Sequence, residues 1–462
     1  MADDSPVQMR IYTLTKRQYL LVFSVFFAAF AVALIIGATG PTVLQETSET
    51  FEMRTNSSKV PYQIASPSLS KLDQQLWLLA RFKRKENDLG VSLTFDFNVT
   101  LLISGGVGDD GKSIDSNHER VLKCERSDCE DLVLFHSSYI DYEVYAAAVG
   151  FQKAESLARG VHSVAFVWKY YDTTFTHFEL WFRFAFLMMS FGATCAFAIA
   201  LRRFKFKNWT IEQKWMSLLL FLLCLYNGPL EPLKFLISSW VPGMLDGIFQ
   251  ATFLSGLLMF WLCTLHGIRE SKRGIFTFYM IKIILMFFIW LSAVTLSSWQ
   301  QYNELEDPGF NTSLDTKNFI GFRIFFYIVV GIYALYLLYL IIRATVELRN
   351  MPYYSIRLKF LLFLMSIVLA VSVAVMVVRF GNAILEPSYL TSPKTEYQNF
   401  AEFLAFYSLL NFSMFTMAFV YSPSRLASFD LSKDASRSLM TKADDTGRLF
   451  SSQAISESEE ES

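Results

Sequence analysis

Gly106-Val107-Gly108-Asp109-Asp110-Gly111-Lys112-Ser113 matches, letter for letter, the glycine-rich pattern whose backbone N–H groups cradle nucleotide phosphates. That chemistry needs a buried strand before the loop and a helix after it. Here an alternating strand leads in, and Ile114 to Arg120, polar but for one residue, leads out. Asp109 and Asp110 would also place negative charge where phosphates sit. The run reads as a turn between strands. The chain has no H-E-x-x-H, no G-x-S-x-G and no zinc-type cysteine spacing. We therefore expect no enzyme, no catalytic or metal residue and no cofactor.

Other chemistry-bearing residues suggest stability, processing or ligand contact. Cys124 and Cys129 lie close together in a polar stretch, where an oxidising compartment favours a disulfide over the alternative of two free thiols. Cys195, Cys224 and Cys263 fall in apolar runs and read as small packing residues. Asn98-Val99-Thr100 is a glycosylation sequon on the polar face of an alternating strand, and Asn56 and Asn311 begin two more. His118, His136, His162 and His177 cluster in one region, yet their number is close to ordinary usage. Ionisable residues within apolar runs are default functional suspects. Arg183, Asp246, Arg323 and Glu402 all sit near one end of their runs, where they could ring the mouth of a cavity or simply reach the interface.

The elements that must position these residues are set by composition. Of 462 residues, 53% are hydrophobic and 18% charged, with 45 Phe. Soluble domains carry about 45–50% apolar and about 25% charged residues. A disordered chain, a collagen and a disulfide-knotted mini-protein are excluded, leaving a membrane protein. The net charge of -1 also argues against nucleic acid as a partner.

Eight runs approach the roughly 20 apolar residues that cross about 30 Å of hydrocarbon. They span Tyr19 to Gly37, Leu180 to Leu201, Trp215 to Leu236, Leu245 to Leu265, Phe276 to Trp299, Ile320 to Ile342, Leu358 to Val378 and Glu402 to Tyr421. Asn227, Gly228, Pro229 and Pro232 interrupt the third, which predicts a kink. The first run is longer than the roughly 7–15 residues of a signal-peptide core and reads as a retained anchor. Lys and Arg concentrate in alternate flanks, among them Arg17, Arg202, Arg203, Lys272, Arg273, Arg349 and Arg357. The positive-inside rule then puts both termini in the cytosol.

Between the first two runs lie about 140 residues, enough for a domain with its own core. Val91, Leu93, Phe95, Phe97, Val99 and Leu101 alternate with polar residues, the signature of a half-buried strand. Weaker stretches at Gln75 to Phe82, Asp131 to His136, Tyr142 to Phe151 and His162 to Tyr170 predict a β-sandwich, which feeds directly into the second run. The expected organisation is a cytosolic N-terminus (1–18), a first transmembrane helix (19–38), a luminal or extracellular β-sandwich (39–178), a seven-helix membrane domain (179–421) and a disordered acidic cytosolic tail (422–462). Ser456 and Ser458 each precede a Glu by three residues, as acidophilic kinases require. That tail could thus recruit sorting adaptors, or it could only solvate.

Several ordered segments, MRIYTLTKRQ from Met9, FTHFELWFRFAF from Phe175, IEQKWMSLLL from Ile211, SWVPGMLDGIFQ from Ser239, ELRNMPYYSIRLKF from Glu347 and AFVYSPSR from Ala418, resemble the transmembrane protein 181 family. The likeness spans nearly the whole chain and is weaker between the first two runs. That family is similar to the Wntless-like group, in which a luminal β-sandwich of Golgi-dynamics type precedes seven receptor-like helices. The resemblance implies a receptor or cargo organiser of the Golgi, secretory pathway or plasma membrane. Its partners would be a luminal protein, a lipid-modified ligand or a bacterial cytolethal distending toxin, besides membrane lipids. It supplies no catalytic residues. Phe166, Trp168, Trp181 and Arg183, near the joint of the two domains, are the residues expected to couple them. A channel or transporter, and a G-protein-coupled receptor, are the alternatives, but no Asp-Arg-Tyr or Asn-Pro-x-x-Tyr occupies the receptor positions.

Overall fold

The computed structural model describes residues 7–53, 60–84, 93–106, 113–125, 128–152, 155–237, 239–269, 278–306, 318–348, 352–380, 397 and 399–424. The chain opens with α1 (Lys16–Ala38), whose start is fixed by reciprocal hydrogen bonds between Thr15 and Gln18. Phe26, Phe30, Ala33 and Gly37, spaced by three and four residues, form its one buried stripe. Its other faces are apolar and exposed, as expected of a helix surrounded by lipid.

Among the described residues nine strands follow: β1 (Leu44–Glu52), β2 (Tyr62–Ala65), β3 (Leu76–Arg84), β4 (Leu93–Gly105), β5 (Ser113–Glu125), β6 (Asp128–Cys129), β7 (Leu132–Ser137), β8 (Tyr145–Gln152) and β9 (Val161–Tyr171), with the short helix α2 (Glu155–Gly160) before β9. All pair antiparallel. One layer runs β1-β9-β3-β7 and the other β2-β8-β4-β5, while β6 bridges β3 and β5 at one edge. Aromatic contacts join the layers: Phe166 of β9 stacks on Phe151 of β8 at 6.2 Å, and Phe82 of β3 meets Phe97 of β4 at 6.1 Å. This is the expected sandwich. Two of its long strands, β1 and β5, escaped the sequence pattern because they lie at layer edges and carry polar residues on both faces.

β3 and β9 are apolar on both faces. Leu76, Leu78, Ala80, Phe82, Val164, Phe166 and Trp168 fill the sandwich, whereas Trp77, Leu79, Val167 and Tyr171 join the core of the helical domain. The sandwich thus shares apolar packing with the helices.

Those helices are α3 (Thr173–Leu201), α4 (Ile211–Tyr226), α5 (Leu233–Leu236), α6 (Val241–Arg269), α7 (Met280–Glu306), α8 (Asn318–Leu348), α9 (Pro352–Phe380) and α10 (Phe400–Tyr421). Among the described residues, α1, α3, α6, α8 and α10 contain stretches long and apolar enough to cross a membrane, and α7 and α9 contain shorter ones. The third expected span departs most from its prediction. It ends as a helix at Tyr226 instead of kinking, because Gly228 takes φ +72° and Pro229 offers no N–H. The 16 residues of α4 rise only about 24 Å. Irregular backbone and α5 complete the distance, which is tolerated at membrane depth only where protein buries it.

The most buried of these helices, α10, lies at the centre. Its start touches the sandwich side through a bridge between Thr42 and Asn399, and its end is clasped by the N-terminal segment through a bridge between Met9 and Pro423. Arg10 N–H donates to Ser422 O, and Ser424 N–H to Gln8 O, both at 2.9 Å. Both described termini therefore lie at the end of the helices opposite the sandwich.

Candidate functional site at the joint of sandwich and helices

β9 passes into α3 across one residue, Asp172. Its carboxylate accepts the Thr174 N–H at 2.8 Å, capping the helix, and also hydrogen bonds from Gln45 at 3.0 Å and Thr42 at 3.3 Å. Burial pushes this carboxyl upward, but those hydrogen bonds outweigh it and hold Asp172 below the usual range. With the helix start fixed, Thr176, Glu179 and Arg183 share one buried face of α3.

Arg183 is the centre of a buried charge cluster. Its guanidinium donates to Glu179 from the same face at 2.9 Å, to Glu231 in the irregular segment after α4 at 3.0 Å, and to Asp246 of α6 at 3.2 Å. Lys234 of α5 reaches Glu231 at 2.9 Å and Asp246 at 3.3 Å, and the Gln250 amide donates to Asp246 at 2.9 Å. The Tyr407 ring of α10 lies 5.1 Å from the guanidinium carbon. Gly228 explains the broken helix: a Cβ there would stand 2.9 Å from Arg183 Nη1. Three carboxylates thus meet two cations in a region where only paired charge is tolerated.

The sandwich enters this cluster through Gln74. Its side-chain amide donates to Thr176 Oγ1 at 3.0 Å and Glu179 Oε2 at 2.8 Å. Gln74 holds φ 54° and ψ -64° between Asp73 O and Gln75 N, which are 2.6 Å apart. This is the strained form of a γ-turn. Such strain persists only where surrounding contacts impose it. An aromatic series runs beside it: Trp77 meets Tyr171 at 5.8 Å, Tyr171 stacks on Phe175 at 5.8 Å, Phe175 meets Phe403 at 6.1 Å, and Phe403 meets Tyr407 at 4.7 Å. Deeper in the bundle Asn227 and Asn411 exchange amide hydrogen bonds, both 2.9 Å, and Asn227 also donates to Ser190. Asn411 of α10 thus pairs with the residue that caps the end of α4.

Of the residues expected at the joint, Arg183 and Asp246 come together. Phe166 and Trp168 do not form it: they point into the sandwich, because alternation along β9 gives the helix-facing positions to Val167 and Tyr171. Trp181 is 70% exposed on the outer face of α3. Glu402 is buried in the first turn of α10. Arg323 belongs to α8, and its side chain is outside what the structure describes. The sequence reading missed Gln74, Glu179, Glu231 and Lys234. Glu179 stands four residues before Arg183 and Glu231 three before Lys234, spacings that pair opposite charges on a helix and would have found both.

The remaining expected sites divide similarly. Cys124 and Cys129 are joined as a disulfide between β5 and β6. Asn98 is partly exposed on β4, opposite Glu119 and Gln152. Asn56, Asn311, Ser456 and Ser458 lie outside the described residues, as do 107–112 of the glycine-rich run. β4 and β5 pair on either side of that run, Ser104 opposite Ser113, in a hairpin and not the strand-loop-helix of a phosphate cradle.

Residues 60–171 match the family described as TMEM181, GOLD domain, and residues 172–425 match Wntless-like, transmembrane domain. Human transmembrane protein 181 is 43% identical over 445 residues, covering 95% of this chain and 92% of the relative. The chain belongs to the transmembrane protein 181 family. The two matches meet between Tyr171 and Asp172, where β9 hands over to α3. In this transmembrane protein 181 relative the family's two domains are therefore joined without a linker, and the charge cluster and Gln74 lie immediately at their seam.

Proposed function

We propose that this protein is a non-enzymatic membrane receptor or cargo carrier of the secretory pathway or plasma membrane, with the sandwich luminal or extracellular and both termini cytosolic. A luminal protein or lipid-modified ligand would engage the sandwich, and the helical domain would respond. The observation that carries this reading is the hydrogen bond from Gln74 into the Arg183 cluster, which ties a sandwich loop to α3, the segment after α4, α5 and α6 at one point. A ligand that moves that loop changes the pairing of buried charges, a large differential energy. The positive flanks of the helices support the orientation. Around the Asn227 and Asn411 pair, Met216, Leu219, Leu223, Phe260 and Met414 pack α4, α6 and α10 together, although Glu212, Gln213, Thr264, Ser413 and Lys282 are buried in the helical domain as well.

The test compares secreted proteins from cells with and without the chain, together with proteins captured on it by a crosslinker confined to the lumen. For a carrier, the proteins captured on it accumulate inside cells that lack it, and their export returns with the wild type but not with Gln74→Ala. An identical secreted set in all three, with no protein captured specifically on the wild type, would sink the proposal.

A further inference from the structure

Next to the charge cluster, but separate from its carboxylates, a cleft of about 150 Å³ opens between the sandwich and the helices. Its upper wall comes from Lys71, Gln74, Gln75 and residues 138–140, and its lower wall from Lys234, Phe235, Ser239, Trp240 and Gly243. The lining contains two lysines, Lys71 and Lys234, and no carboxylate; Gln75, Ser239 and Trp240, each with a side-chain donor, also line it. Such a surface is rich in hydrogen-bond donors and suits an anion with several acceptor oxygens. Lys234 is shared with Glu231 and Asp246, whereas Lys71 is exposed and, among the described residues, forms no ion pair. Lys71 therefore adds to the cleft an ammonium that no carboxylate among the described residues holds.

Two further facts narrow the ligand. The volume is below the roughly 300–1,000 Å³ that drug-sized ligands occupy, so the cleft suits a small headgroup. Immediately beside it, at the turn from α5 into α6, Leu236 is 74% exposed, Ile237 48% and Val241 40%. An apolar ledge next to a donor-rich cleft matches an amphiphile: polar head inside, acyl chains outside along the helices. Trp240, beside that ledge, is a residue type enriched at membrane–water interfaces.

We propose that this cleft binds the phosphate of an anionic phospholipid headgroup from the leaflet on the sandwich side. The proposal does not depend on the carrier reading. The headgroup phosphate accepts hydrogen bonds from Lys71, Ser239 and Trp240, and the ledge holds the chains. Because the upper wall includes the Gln74 loop, a bound headgroup also braces the sandwich against the helices.

The experiment is native mass spectrometry of the purified full chain titrated with phosphatidic acid, phosphatidylcholine or inorganic phosphate. Phosphatidic acid is expected to bind in preference to phosphatidylcholine, and Lys71→Ala to weaken it about tenfold through loss of one charge-assisted hydrogen bond. Lys71→Arg should retain binding. Lys71 is exposed, so its removal leaves the fold intact, which size exclusion confirms; Trp240→Ala gives an independent loss. Equal retention of phosphatidic acid by wild type and Lys71→Ala would overturn the site. Displacement of the lipid by equimolar inorganic phosphate would overturn the headgroup as its source.

Discussion

Gln74 concentrates the account at the residue scale, because its side chain and its backbone pull in opposite energetic directions. The hydrogen bond to Glu179 stabilises the joint, while the γ-turn geometry costs about 1–3 kcal/mol. Gln74→Ala loses the bond and keeps the strain; Gln74→Gly loses the bond and relieves it. Thermal unfolding should therefore rank Gln74→Gly above Gln74→Ala, by about 1 kcal/mol, the reverse of the usual order for these two residues. Asp172 gives a second prediction. Its folded carboxyl lies below its ordinary value, so its stabilisation is present above about pH 4, the unfolded value, and is lost as pH falls through the folded one. Asp172→Asn should lower stability at neutral pH by about 1 kcal/mol and should flatten the loss that the wild type shows below pH 4. A parallel acid response in both proteins would assign the loss to other carboxylates.

Among the elements, α1 and α10 meet more closely than any side chain allows. A Cβ on Gly37 would stand 2.7 Å from the Ala401 Cα, a backbone atom that cannot turn aside. Gly37→Val should therefore destabilise the protein by about 1–3 kcal/mol through overpacking, whereas the same change at Gly192, where a Cβ meets nothing within 4 Å, should not. Comparing the melting temperatures of the two variants checks this. The same scale explains what the sequence could disclose. A long apolar run declares its helix without knowledge of its neighbours, and strict alternation declares β4. Strands β1 and β5 were illegible because an edge strand need bury little. The end of α4 was read as a kink because a proline signals disruption without saying whether the helix resumes; Arg183, sitting against Gly228, is the tertiary reason it stops.

Taken whole, the molecule is two family domains sharing one interface, and the site belongs to that interface. Arg183 and Asp246 were legible because charge is rare in apolar runs. Gln74 was not, since a glutamine in a polar loop has no pattern, and its role exists only once β3, β9 and α3 are placed. Phe166 and Trp168 lay beside the joint in sequence, yet the two-residue period of β9 turned them inward. The central claim is that sandwich and helices act as one unit through Gln74 and Arg183. Backbone hydrogen exchange of the full chain, wild type against Gln74→Ala, tests it most directly. The substitution is predicted to speed exchange at 228–246, far from position 74 in the chain, as well as in the loop that carries it. Faster exchange confined to residues 70–84, with 228–246 unchanged, would contradict the claim.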